Sequence, residues 1–279
     1  MRDQITISIC NTLVRLPSRL LARPGRALLV IAVLLTAGRT WAQPAPSRLD
    51  AILAAGTLRV GMPGDYRPFG LRDAATGEWQ GLDVDEARAM ATALGVKLEL
   101  VQTRWATLLP DLLAGRFDIG AGGVSVTLQR QTQAFYSTPI LRDGKTPIAD
   151  CKRADDFQSM AQIDRPGVRV IVNPGGTNEA FDRAHLHSAQ IVVFPDNTRI
   201  FDELLAGRAD LMITDATEAR LQHALHPSLC AIHPDHPFDF SEKAYLLPRD
   251  VPLQQWVNQF LHIQRESGAL DALIAKWLP

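Results

Sequence analysis

The sequence predicts an α/β protein of two lobes with a ligand cleft between them. Three observations carry that expectation. Strand-like and helix-like segments alternate along nearly the whole chain after residue 42, which implies parallel-rich sheets covered on both faces. The run Leu112-Leu113-Ala114-Gly115-Arg116-Phe117-Asp118 returns as Leu204-Leu205-Ala206-Gly207-Arg208-Ala209-Asp210, once in each half. Glycine-bearing corners at Gly120–Gly123 and Gly175–Gly176 each follow a strand, the place where open α/β sheets bind ligands. The plainer reading of the repeat is two ordinary glycine-capped helix ends.

The first stretch is set apart before the fold is read. Residues 1–42 hold six arginines and one acid, then an apolar run from Ala27 to Leu35, then Thr40-Trp41-Ala42. A basic segment, a short apolar core and a small-x-Ala site describe a cleaved secretory signal peptide. The core is shorter than the ~18–20 residues that span a bilayer. Signal cleavage implies an exported, periplasmic protein. Over the whole chain 29 basic residues face 30 acidic ones. That balance excludes a dedicated nucleic-acid binder, which carries a strongly basic face. With 46% hydrophobic and 21% charged residues, the chain is neither disordered nor fibrous.

The elements follow in order. Ser47-x-x-Asp50 is a capping-box variant opening a helix that Gly56 ends. Thr57–Gly61 reads as a strand, followed by the loop Gly64–Phe69. Leu82, Ala87, Met90, Ala91 and Leu94 recur at helical spacing before Gly95. Lys97–Val101 alternates like a strand; Leu108, Leu109, Leu112 and Leu113 mark a helix closed by Gly115. Phe117–Ala121 reads as a strand and residues 127–134 as the start of a helix. From Lys145 a second series runs: strand 168–172, helix 177–186, strand 190–194, helix 198–206, strand 210–213 and helix 215–225. The tail, 253–278, is helical, with Trp256, Phe260 and Ile263 on one face.

Candidate site residues sit on the loops after strands. Ser125 and Thr127 offer hydroxyls, helix-start amides attract an anion, and Arg130 adds a planar fork suited to a carboxylate. An ordinary capped turn with Arg130 in a surface ion pair is the alternative. In the matching corner, Asn173–Phe181, Thr177 is placed to cap a helix with Asn178 and Glu179 in its first turn. Glu179 there either complements the helix dipole or faces the cleft, where burial would raise its pKa and let it donate a proton. Tyr66 and Trp105 are placed to cover a flat ring, or simply to pack. Asp215 either holds an ammonium group or caps the helix after it. Cys151 and Cys230 remain as an even pair once Cys10 leaves with the signal; a disulfide is the economical reading, and two buried thiols the alternative. The seven histidines lack partner carboxylates in a recognised pattern, so no metal is expected, and no cofactor motif stands out.

The loop Gly64–Phe69, the segment Gly81–Asp85 and Phe117-Asp118…Ser125-Val126-Thr127-x-x-Arg130 resemble the polar amino-acid-binding proteins of ABC importers. That resemblance implies the type II periplasmic-binding-protein fold. It also implies that Arg130 and Ser125 clamp an α-carboxylate, Tyr66 and Trp105 stack on the ligand, and Asp215 takes its ammonium. Gly122 departs from the pattern, where a hydroxyl residue is frequent. A narrower resemblance is to the periplasmic cyclohexadienyl dehydratases. It rests on Leu141–Ile148, Asn173–Phe181, Thr214–Gln222, His226–Ala231 and Pro237–Asp250. These are enzymes on a binding-protein scaffold, converting prephenate to phenylpyruvate and arogenate to phenylalanine without a cofactor. The resemblance implies Glu179 as catalytic acid; the chemistry such a site must perform assigns Thr177 and Asn178 as polar positioners. The alternative function is a receptor for a polar amino acid or small carboxylate. Lobe 1 is expected over 43–141 plus 240–279, and lobe 2 over 142–239, with Lys145 and Lys243 near the crossings.

Overall fold

The computed structural model describes residues 46–278; the signal-peptide expectation for 1–42 lies outside them. Two five-stranded sheets carry the architecture, and they share one plan. In the first, Lys97–Gln102, Thr57–Met62 and Ile119–Gly120 run parallel, and Leu246–Leu247 and Phe135–Tyr136 complete the sheet. In the second, Gln190–Val193, Arg169–Val172 and Leu211–Asp215 run parallel, and Lys145–Asp150 and Leu229–Ala231 complete it. In both, the first parallel strand in sequence lies between the second and the third. The chain passes between the sheets through a two-stranded ribbon, Leu141–Asp143 against Ser241–Lys243.

Each sheet is covered on both faces, as alternating strands and helices require. On one face of the first sheet pack Leu58, Val60, Leu82, Met90, Leu247 and Val257. On the other pack Leu108, Leu112, Phe117, Tyr136 and Leu246. The second sheet has the equivalent pair of cores, around Phe157, Val170 and Ile213, and around Ile171, Phe201 and Met212.

Local chemistry sets the element ends. Ser47 and Asp50 form a reciprocal capping box on the helix Arg48–Ala55, and Gly56 and Gly95 close their helices in the left-handed region. Two expectations need correction. The helix expected over 127–134 is a single turn, Leu128–Gln131, because Phe135 and Tyr136 are drawn into the first sheet beside Leu246–Leu247. The tail is two helices, Val251–Glu266 and Ala269–Trp277, broken at Gly268. Its buried stripe is Leu253, Val257, Phe260 and Leu261, whereas Ile263 is exposed, since a 3.6-residue repeat carries it off that face.

In the second sheet's half of the chain, Cys151 and Cys230 form a disulfide, joining the end of Lys145–Asp150 to the adjacent strand Leu229–Ala231.

Candidate active site

Loops at the ends of strands from both sheets converge on one cavity, partly open to solvent. From the first lobe come Tyr66, Trp105, Gly123, Ser125 and Arg130; from the second come Asn173, Gly176, Thr177, Asn178, Asn197 and Asp215. Tyr66 is buried, and Trp105 meets it edge-on with ring centroids 5.7 Å apart. The Trp105 indole N–H donates to Asp65 at 2.9 Å, which fixes the ring's angle. Burial pushes the Asp65 carboxyl up to about 6, partly offset by that hydrogen bond.

The Gly122–Gly123 turn is held from behind. Asp83 accepts hydrogen bonds from both amides at 2.7 Å. Gly123 has φ +80°, and a Cβ there would sit 2.6 Å from the rings of Phe69 and Tyr66, so only glycine fits. Beyond the turn, Arg130 donates to the Ser125 carbonyl at 3.2 Å, and it faces no carboxylate among the described residues. Its guanidinium is available to an anion. Thr127 lies outside the cavity lining: its hydroxyl caps the short helix by accepting from the Arg130 amide at 3.2 Å.

The second corner departs from expectation in two ways. The helix cap is Gly176 rather than Thr177, and the Thr177 hydroxyl accepts from Lys145 instead. Glu179 does not line the cavity. Its carboxylate accepts from the Gly175 amide at 2.6 Å and from Arg183 at 2.7 and 2.9 Å. The Gly175 hydrogen bond, with Arg183 adding to it, outweighs mild burial and holds this carboxyl below its ordinary value. The expected upward shift is therefore absent in this arrangement. Arg183 lies one helical turn on, the spacing at which side chains meet.

Asp215 is the N-cap residue of the helix Ala216–Leu225, yet its side chain makes no cap bond. Its Oδ1 accepts from Lys145 at 2.7 Å; its Oδ2 accepts from Lys243 and from the Tyr66 hydroxyl, each at 2.5 Å. Burial opposes ionisation, but the two ammonium groups outweigh it and keep Asp215 below the usual carboxylate range. Lys145 also reaches Asn178 at 2.5 Å, and Lys243 reaches Ser125 at 2.9 Å. The Thr177 hydroxyl lies 3.5 Å from that of Ser125. A ring of polar groups thus closes across the two lobes. Neither lysine was placed in the cleft from sequence. The available signal was Lys145 opening a strand that is buried over all but its last residue, since a buried lysine needs a partner. Asn173 opens the corner Asn173–Phe181 but was given no role of its own, and Asn197 carried no signal. One His/Cys group, Cys151, Cys230 and His223, lies close together, but its sulfurs are bonded to each other.

Two like sheets with a polar, aromatic-walled cavity at their strand ends define a two-lobe small-ligand-binding protein. Residues 58–279 match the model of the bacterial extracellular solute-binding proteins, family 3, and the chain belongs to that family. It is 53% identical over 253 residues to a cyclohexadienyl dehydratase of Pseudomonas aeruginosa, covering 91% of this chain and 93% of that one. To the L-cystine-binding protein of Escherichia coli it is 28% identical over 262 residues, 92% and 97% of the two chains. Among solved structures, an ancestral amino acid-binding protein, described as a precursor of cyclohexadienyl dehydratase, superimposes with TM-score 0.77 at 35% identity. That match covers 84% of this chain and 100% of the other. An ancestral cyclohexadienyl dehydratase matches with TM-score 0.54 at 49% identity, over 84% and 98%.

Proposed function

We propose that the protein is a periplasmic cyclohexadienyl dehydratase, converting prephenate to phenylpyruvate and arogenate to phenylalanine. The observation that carries this reading is the 53% identity to a dehydratase across 93% of that protein's length. The cavity is suited to the task. Arg130 takes a substrate carboxylate, helped by Ser125; Tyr66 and Trp105 flank the ring; Thr177 and Asn178 orient the polar edge.

The reaction needs no redox step. The bond from the ring to its carboxylate breaks, and the electron pair enters the ring as CO2 departs. The ring carbon–oxygen bond breaks on the other side, and the hydroxyl leaves as water with a proton from Glu179. Aromatisation drives the change, and a positioned acid contributes ~10²–10⁴-fold. To act, Glu179 must turn from Arg183 toward the cavity, where a substrate carboxylate and loss of water favour its protonated form. Movement of the lobes about the ribbon Leu141–Asp143 and Ser241–Lys243 would open and close the cleft, with lobe limits near 141 and 240.

A receptor reading has one specific support: Glu179 is paired with Arg183, as a non-catalytic first-turn acid would be. Incubating the purified protein with prephenate separates the two. Catalytic release of phenylpyruvate supports the dehydratase; unchanged prephenate, with an amino acid bound intact, supports the receptor.

A further inference from the structure

Asp215 is the one carboxylate among the residues lining the cavity, and both of its oxygens are already paired with groups of the protein. Lys145, Lys243, Tyr66 and Asp215 are all buried. A ligand ammonium arriving here finds no free carboxylate. To reach Asp215 it would have to displace a lysine that is also bonded to Asn178 or Ser125, and leave that ammonium buried beside it. Two acceptors on the cavity lack partners, Asn173 Oδ1 and Asn197 Oδ1. Both are neutral amide oxygens. Either can accept from a substrate hydroxyl, but neither offsets a full positive charge in a poorly solvated cleft. Arg130, which faces no carboxylate among the described residues, adds to the positive side.

Resting on the dehydratase reading, we infer that Lys145 and Lys243 determine specificity. By holding Asp215 from behind, they turn the cavity against substrates bearing an α-ammonium group and toward α-keto acids with two carboxylates. Prephenate is then the preferred substrate and arogenate the lesser one. The two lysines act through Asp215 and not on the reacting atoms, so they are positioning residues. Discrimination arises as much from the repulsion of a second ammonium as from attraction of an anion.

Phenylpyruvate and L-phenylalanine differ at a single carbon, keto against ammonium. Calorimetric titration of the purified wild-type protein with each therefore reads the preference without turnover. Phenylpyruvate is expected to bind at least ~10-fold more tightly, the scale of one mispaired charge. In Lys243→Met, Asp215 loses one of its two ammonium partners and keeps only the Tyr66 hydroxyl on Oδ2, and the ratio should fall at least ~10-fold; Lys243→Arg should largely restore it. Lys145→Met gives an independent reading should Lys243→Met fail to fold. Equal or tighter binding of phenylalanine to the wild type overturns the inference, as does an unchanged ratio in either folded Met variant. Turnover is read separately, as kcat/KM for prephenate against arogenate. If neither is turned over, the dehydratase reading fails, while the binding ratio still decides the role of the lysines.

Discussion

Asp118 in the first lobe and Asp210 in the second occupy equivalent corners and make the same contacts. Asp118 accepts from the backbone N–H of Arg59 and from its guanidinium, whose other nitrogen reaches the carbonyls of Gly115 and Arg116. Asp210 does likewise with Arg169, which reaches the carbonyls of Gly207 and Arg208. Each acid has a second arginine, Arg48 or Arg153. At the other ends of the strands the likeness stops. One corner presents Arg130 with no carboxylate partner among the described residues; the other holds Glu179 against Arg183 and sets Lys145 behind Thr177 and Asn178. The repeated clamp closes helix ends and fixes strand register, which any ligand tolerates. The cavity corners differ because a substrate with unlike ends needs unlike partners.

The largest effect on stability should come from the point where the lobes meet. Asp215→Asn leaves two buried ammonium groups without their counter-charge, and should cost about 3–5 kcal/mol in urea unfolding. Loss of the disulfide tests a feature confined to the second lobe. Cys151→Ser with Cys230→Ser should cost about 2–5 kcal/mol, and thiol labelling of the unreduced wild type should find neither cysteine free. The clamps sharpen the comparison directly. Asp118→Ala and Asp210→Ala each remove several charge-assisted hydrogen bonds, partly screened by solvent at the arginines. Each should cost about 1.5–3 kcal/mol, and nearly the same in both lobes. A loss in one lobe only would break the equivalence.

The smallest effect is a slope with pH. Burial pushes Glu86 in the first lobe up to about 7, and Glu218 and Asp182 in the second up to about 8. Unfolded, such acids ionise near ~4. The native state therefore binds more protons in between, and stability falls as pH rises. The contribution is full below the unfolded value and is lost as pH climbs through 7 for Glu86 and 8 for the other two. Melting temperature should decline from pH 5 to 9. Glu86→Gln should flatten the lower part of that decline, and Glu218→Gln the upper part as well.

Much of this frame is legible in the chain because it is local. Glycine closes helices at Gly56 and Gly95, and the repeated Leu-Leu-Ala-Gly-Arg corner marks both lobes. Tyr66, Trp105, Ser125, Arg130, Thr177, Asn178 and Asp215 do converge on one cavity, since each lies at or just after the end of a strand of the two sheets. What escaped depends on contacts distant in sequence. Lys145 faces Asp215 only through antiparallel register across 70 residues, and Lys243 reaches Ser125 across 118. No periodicity reports such pairs. The orientation of Glu179 escaped for a different reason: Arg183 is visible in the sequence, but whether the carboxylate turns to it or to the cavity is a matter of side-chain conformation, which no pattern reports.

That choice is the centre of the account, and one substitution tests it most directly. Glu179→Gln keeps the shape of the side chain and removes the acid proton. With prephenate, kcat should fall by at least ~10²-fold while the affinity for phenylpyruvate is retained, and the alkaline limb of the kcat–pH profile should disappear. Full turnover by Glu179→Gln, with the profile unchanged, would contradict the assignment and leave Glu179 as a helix residue paired with Arg183.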